Sequence, residues 1–356
     1  MFKFNDVFTD CTKYVTKLKT SEYKESGKNI IIDQGQNEIA GYTNNEEGLF
    51  EDIPALIFGD HTRCIKYINK PFYIGADGVK ILKIKLEKAN YKYWYYALKN
   101  INIPNTGYNR HFKWLKGLSF KKHTLIEQQK IVDKLDIISV LINQRQLQLK
   151  LLDDLIKARF VEMFGNPILN DKRWRMDKLK KITYKIGSGA TPKGGKESYV
   201  EDGISLIRSM NVHDNRFIYN ELAHITDVQA SQLKNVIVNE NDVLFNITGA
   251  SITRTCIVPL DVLPARVNQH VCIIRPDKNI NAIFLCHLLQ SNVLKSQLID
   301  IGESNGATRQ AITKQQLEQL MIICPPIELQ NQFADFVKEV DKSKFMDEMM
   351  VYKLKM

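Results

Sequence analysis

Residues 124–163 read TLIEQQKIVDKLDIISVLINQRQLQLKLLDDLIKARFVEM, forty positions with no glycine and no proline. Apolar residues recur at Ile131, Leu135, Ile138, Ile142, Leu149, Leu152, Ile156, Phe160 and Met163. Steps of four, three, four and seven put them on one stripe of a helix, the pattern of a helix packed lengthwise on another. Arg145 interrupts the stripe. Gly165 and Pro167 end it, a C-cap glycine followed by a residue that cannot continue a helix. At 1.5 Å per residue such a helix is a rod of about 60 Å.

On both sides of the rod the texture changes. Residues 1–123 carry short β-like runs broken by Gly, Asn and Asp, among them residues 29–32, 55–58 and 79–84. The run Tyr91 to Leu98 reads as a short buried helix, so its tyrosines belong to a packed face rather than to a base-stacking platform. Residues 166–325 return to the first texture, with strand-like runs at 204–207, 242–247 and 271–274. Cys324-Pro325-Pro326 then stops the chain, and residues 326–356 form a second, shorter helix with Phe333, Val337, Val340, Phe345 and Met349 on its apolar positions.

The segments repeat. Residues 125–133, LIEQQKIVD, match residues 327–335, IELQNQFAD, and each begins a helix just after a strand-like run. Residues 54–63 resemble 242–249 followed by Thr253-Arg254, and Gly107 to Arg110 stands where Gly306 to Arg309 stands in the second copy. The motifs keep their order, with a period far too long for a solenoid. Two units related by a pseudo-twofold axis, like a dimer fused into one chain, is the simplest reading. Two such domains on a rigid spacer can contact two separated sites on one polymer. One turn of the DNA major groove is about 34–36 Å, so a rod of this size can set half-site spacing.

The chain of 356 residues has room for two domains, and 44% hydrophobic residues can fill their cores. Fifty Lys and Arg against forty Asp and Glu give a net charge of +10, which favours an anionic partner, nucleic acid first. No apolar run approaches a membrane span and Met1 to Asp6 is no signal segment, so the expected compartment is the cytoplasm, with no membrane partner. The six cysteines are scattered singly without a CxxC pair, against a zinc site or a disulfide framework. Residues 189–196, GATPKGGK, fail as a P-loop, because Gly195 holds the place where the motif needs lysine. Glu22-Tyr23-Lys24 with Asp10 is too short to mark a nuclease, and Asn166-Pro167-Ile168 reads as a helix stop rather than a methyltransferase motif. No catalytic, metal or cofactor-binding residue is expected in this chain.

Candidate DNA contacts follow from the repeat. Arg63, Arg110, Arg254 and Arg309 fall at matching places in the two copies, and arginine can fork onto guanine or hold a phosphate. Their competing reading is a salt bridge of the repeated fold. Thr191, Lys193 and Lys196 lie in a cationic loop suited to phosphate contact, its bland alternative being a solvated turn. Lys66, Lys113, Arg208 and Thr248 complete the candidate set. Asn246, Asn268, Gln269 and His270 could read adenine, or simply satisfy turns. The helix-packing set is Ile131, Leu135, Ile138, Ile142, Leu149, Leu152 and Ile156 on the first helix, and Phe333, Val337 and Val340 on the second.

These residues also carry a family likeness. Gly189-Ala190-Thr191-Pro192 with Tyr199, Gly203-Ile204 and Ile207-Arg208, then Leu244-Phe245 to Gly249 with Arg254, resemble the opening and middle of a target recognition domain. Pro326 to Gln330 resembles the entry to a conserved-region helix, and Phe160 to Pro167 with Trp174 the junction between the first helix and the second domain. In order and duplication the chain resembles the specificity subunit of type I restriction–modification systems. The first domain departs from the pattern in lacking the Gly-x-Thr-Pro opening.

The resemblance implies an α+β architecture, two mixed α/β target recognition domains separated by long antiparallel coiled-coil helices. It implies a non-catalytic reader of double-stranded DNA with a bipartite, asymmetric target. Two methyltransferase subunits would dock on the helices, with restriction subunits attached through them. S-adenosylmethionine, ATP and Mg would then act in those partners and not in this chain. Alternatives are a DNA-binding regulator or scaffold without restriction partners, and a stand-alone DNA-modifying enzyme, for which the motifs are missing.

Overall fold

The computed structural model describes residues 1–75, 78–107, 109–192, 194–303 and 310–356, and divides into two units, Met1–Asn143 and Gln144–Met356. The division falls inside the long helix rather than at either end of it.

The first unit runs β1 (Phe2–Lys3), α1 (Phe4–Val7), β2 (Phe8–Asp10), β3 (Lys17–Leu18), β4 (Asn29–Ile32), β5 (Gly41–Thr43), β6 (Ala55–Gly59), β7 (Ile65–Ile68), β8 (Phe72–Gly75), β9 (Val79–Ile84), α2 (Tyr91–Lys99), α3 (Phe112–Lys116), β10 (Ser119–Phe120) and the start of α4 (Leu125–Phe164). One sheet has the antiparallel order β2-β9-β6-β7, a second the mixed order β3-β8-β4-β5, and β1 pairs with β10. The run at β6 is wholly apolar because both faces of the strand are covered. Ala55 and Ile57 enter a core with Ile32, Phe72 and Ile81, between the two sheets. Leu56 and Phe58 face the opposite way, into a core with Trp94, Phe120 and Val132. Val132 comes from α4, so the first turns of the long helix are part of this unit. The tyrosine-rich run is α2, capped by the Asn90 side chain, with Tyr93 and Trp94 buried in the same core.

The second unit holds the rest of α4, then β11 (Met176–Lys178), β12 (Thr183–Ser188), β13 (Ile204–Ile207), β14 (Val212–His213), β15 (Arg216–Phe217), β16 (Ala223–Ile225), α5 (Asp227–Gln232), β17 (Ile237–Val238), β18 (Val243–Asn246), β19 (Thr255–Ile257), β20 (Ala265–Val267), β21 (Val271–Pro276), α6 (Ala282–Gln290), α7 (Asn292–Glu303), α8 (Lys314–Gln319), β22 (Met321–Ile323) and α9 (Ile327–Lys355). Its first sheet, β12-β21-β18-β19, has the strand order and antiparallel pairing of β2-β9-β6-β7. The second, β16-β13-β20-β17, matches β5-β4-β8 over three strands and then differs. In the first unit the outer strand is β3, parallel to β8 and near the N-terminus; in the second it is β17, antiparallel to β20 and just before β18. β11 pairs with β22 as β1 pairs with β10, and β14 with β15. Side chains again alternate between two cores: Val243 and Phe245 join α6 and both long helices, and Leu244 joins β13 and β20.

The repeated glutamines have the same task in both copies. Gln128 and Gln330 are buried near the starts of α4 and α9, and each reaches back five residues, to the His123 carbonyl at 3.0 Å and the Pro325 carbonyl at 2.8 Å. The next residue in each copy, Gln129 or Asn331, accepts at 2.9 Å from the asparagine that caps the preceding core helix, Asn90 or Asn281. LIEQQ and IELQN are therefore alike because each fastens a long helix to the domain before it.

Within the second unit, α4 and α9 run antiparallel. Arg145 bonds Asp347 at 2.9 Å, Asp153 pairs with Lys344 at 2.7 Å, and Arg159 lies over the Phe336 ring, so positions on α9 descend as those on α4 ascend. Further along, Phe160 and Phe164 each meet Phe333 at 5.5 Å between ring centroids. Along α4, Ile131, Leu135, Ile138, Ile142, Leu149 and Leu152 are half-buried and Ile156 is buried, as are Phe333, Val337 and Val340 on α9. Arg145 keeps the stripe's position but replaces an apolar contact with an ion pair to a carboxylate only 6% exposed. Among the described residues, no helix is long and apolar enough to cross a membrane.

Candidate nucleic-acid interface

Four loops of the second unit are knitted together beyond the ends of its central strands. The Gly189 amide donates to the Asn268 carbonyl at 3.1 Å, the Ile247 amide to His270 at 3.0 Å, and the Gly249 amide to Gln310 at 2.9 Å. A Cβ on Gly189 would lie 1.7 Å from the Val267 carbonyl oxygen, so the chain after β12 can approach the β20–β21 connection only as glycine. Polar side chains form a row across this platform. The Thr191 hydroxyl bonds Gln269 Oε1, Gln269 Nε2 lies 3.1 Å from His270 Nε2, and His270 Nδ1 lies 2.6 Å from Thr248 Oγ1. Thr191 and Gln269 are exposed, while Thr248 and His270 are half-buried beneath them. Exposed Lys196 lies in the same loop as Thr191. An exposed hydroxyl and amide, backed by a half-buried imidazole and hydroxyl, can read hydrogen-bonding edges, and a lysine of the same loop can hold a phosphate.

Residues 172–347 match the family model described as the type I restriction modification DNA specificity domain. A type I restriction enzyme specificity subunit of Escherichia coli is 21% identical over 346 residues, covering 93% of this chain and 83% of that protein. Over these residues the chain is similar to the type I specificity family. A crystal structure of the S subunit of a type I restriction–modification system from M. genitalium has a TM-score of 0.61 to this chain at 14% identity, covering 99% of this chain and 92% of that one. A second solved structure, described as the structural basis of complex assembly and conformational transition of the type I system, has a TM-score of 0.55 at 14% identity, with 99% and 93% covered. The fold is thus the mixed α/β fold of type I S subunits.

Within this specificity fold the other candidates separate by what they touch. Arg63 donates to the Ile103 carbonyl at 3.1 Å and has a left-handed backbone with φ of 62°, so its guanidinium braces a loop. Lys66 is a correction: it is 6% exposed, and its ammonium is held by the Asn37 carbonyl at 2.5 Å and Asp33 at 3.5 Å, which commits its charge to the fold. Arg208 bonds the Glu221 carbonyl and stacks on Tyr199, again within the fold. Arg254 is half-buried with its guanidinium 3.5 Å from His213. Arg110 and Lys113 are exposed at the entry to α3, Lys113 over the exposed Trp114 ring. Lys193 and Arg309 lie outside the described residues.

The matching of Arg63 with Arg254 is also corrected. Phe58 pairs with Ile65 as Phe245 pairs with Thr255, and the Gly59 amide bonds Cys64 as the Asn246 amide bonds Arg254. Arg254 therefore stands at the place of Cys64. The counterpart of Arg63 is Thr253, whose φ is 69°. The turn is longer in the second copy, so a match made by sequence slips by one position.

Of the four polar residues weighed for adenine, Asn246 and Asn268 are buried. Asn246 donates to Ser209 at 2.9 Å, and Asn268 accepts from the His270 amide at 3.0 Å. Gln269 alone of the four is exposed. In the first unit a cleft of about 930 Å³ is lined by Arg63, Lys66, Lys92, Tyr95, Tyr96 and Lys99, several of whose charges are already paired, as Lys92 is with Asp136 at 2.5 Å. Among the described residues, no group of three or more His, Cys, Asp or Glu could hold a metal ion.

Proposed function

We propose that this chain reads a bipartite, asymmetric DNA target for a type I restriction–modification complex. Each unit reads one half-site, and the helices set the gap and dock two methyltransferase subunits, through which restriction subunits attach. The observation that carries the reading is one strand order built twice, on either side of the middle of one uninterrupted helix, with different residues at the equivalent loops. The scaffold is common to both copies; the loop that holds Gln269-His270 in the second ends at Gly78 in the first. A shared scaffold with unlike tips suits two readers of unlike sequences, related by a pseudo-twofold axis.

In this reading α4 and α9 form the antiparallel coiled coil, and Arg110, Lys113, Thr191, Lys193, Lys196 and Arg254 supply DNA contacts. Methyl transfer from S-adenosylmethionine and ATP- and Mg-driven cleavage belong to the partner subunits, and this chain is non-catalytic. Methylome sequencing of a host with and without the gene tests it. Adenine methylation at one split target should disappear with the gene, and the reading fails if no split-target methylation is lost.

A further inference from the structure

The loop platform of the second unit holds one side chain whose hydrogen-bonding groups are half used. Gln269 is exposed at the β20–β21 connection, and both ends of its amide are engaged within the protein. Thr191 Oγ1 donates to Oε1, which occupies one of its two lone pairs. Nε2 donates one of its two hydrogens to His270 Nε2 at 3.1 Å. For His270 Nε2 to accept, the ring proton must sit on Nδ1, and Thr248 Oγ1 is placed 2.6 Å from Nδ1 to take that bond. With the ring proton on Nδ1, the amide turns its nitrogen to His270 and its oxygen to Thr191; because the Thr191 and Thr248 hydroxyls can each donate or accept, the opposite tautomer serves the flipped amide, and either arrangement engages one hydrogen and one lone pair.

One N–H and one lone pair remain on the amide. Adenine presents in the major groove an acceptor, N7, beside a donor, the N6 amino group, and glutamine meets both at once. We propose that Gln269 is the specificity-determining side chain of the second unit and reads an adenine, with Thr191 and His270 as positioning residues. The proposal deepens the DNA-reading function argued above and rests on it. The first unit gives a built-in contrast: its equivalent connection ends on Gly78, where a Cβ would lie 2.8 Å from both Gln34 Oε1 and the His61 ring. Gly78 supplies no imidazole at the place of His270, so the device is confined to one copy and its effect must be confined to one half-site.

The test uses the chain co-expressed with its methyltransferase subunits, with methylome sequencing and competition binding of the purified complex to duplexes changed at single positions. Gln269→Ala should widen one A·T position of one half-site by between about fivefold and a hundredfold, leaving the other half-site and the gap as in the parent. Gln269→Glu keeps the shape but loses the donor, and should move that position towards cytosine, whose N4 amino group a carboxylate accepts. Thr191→Val should loosen the same position to a smaller extent.

The proposal is overturned if Gln269→Ala and Gln269→Glu are as strict as the parent at every position, or if relaxation spreads over both half-sites. Where Gln269→Ala fails to assemble, Gln269→Glu and Thr191→Val decide by the same criterion. A parent complex with no split target would instead sink the DNA-reading function, and this proposal with it.

Discussion

His287 lies on α6 with its ring 5.4 Å from that of Phe333, and its charged neighbours are Lys344 and Asp153. Burial, and then the Lys344 ammonium, push its imidazole from 6.5 down to about 4, against a smaller pull upward from Asp153. Between those two values the unfolded chain binds a proton that the folded chain refuses. Stability is therefore full above pH 6.5 and falls as the pH drops towards 4. His287 is half-buried as a residue rather than fully enclosed, so the loss is on the order of 1–3 kcal/mol. Denaturant unfolding at pH 7.5 and pH 5 checks this: His287→Leu should flatten the pH dependence, and an unchanged slope would count against it. Nothing in the sequence marks His287, because its environment comes from α4 and α9, far away along the chain. The same distance hides the polar row, since Thr191 and Gln269 are 78 residues apart. Lys66 misled for the converse reason, as its partners Asp33 and Asn37 are equally invisible from its own neighbours in the chain.

The helices and central strands were largely legible, because their periodicity is set by packing that leaves a mark every two or every three to four residues. The stripe on α4 marks the side on which the helix is covered. What the stripe could not explain was Arg145. The ion pair with Asp347 does, since Asp347 is buried and Arg145 is the partner that compensates its charge. Removing only the arginine leaves an uncompensated carboxylate, so Arg145→Ala should cost about 3–5 kcal/mol, whereas Arg145→Leu with Asp347→Leu should be near neutral or better. Chemical denaturation of the parent, the single and the double variant decides; equal losses in single and double would remove the pair from the account. The outer strands were not legible. β3 and β17 occupy comparable edges but come from different parts of their domains, and no local pattern records which segment will pair.

Over the whole molecule, the duplication was legible as an order of motifs, and its residue-by-residue matching was not. Turns of unequal length shift the register, as between Arg63 and Arg254. The unit boundary was also hidden. The spacer read as a separate segment from 124 to 165, yet α4 is divided between two cores, Val132 in one and Ile156 with Phe160 in the other. A four-residue insertion near Gln144, close to that division, adds about 6 Å of rise and just over one turn. It should change the gap tolerated between half-sites or abolish assembly of the complex. An unchanged target after the insertion, read by methylome sequencing, would undo the role of α4 as the spacer.

The division of α4 also has a consequence during synthesis. Its first turns can settle on a domain already made, but Phe160 and Phe164 wait for Phe333. The ribosome must add roughly 170 residues in between, which takes about 10–30 s. Through that interval the apolar stripe on the second half of the helix lacks its last partner, and the nascent chain presents a sticky surface that closes only when α9 emerges. Chaperone demand should therefore peak late in translation, after the first domain has folded.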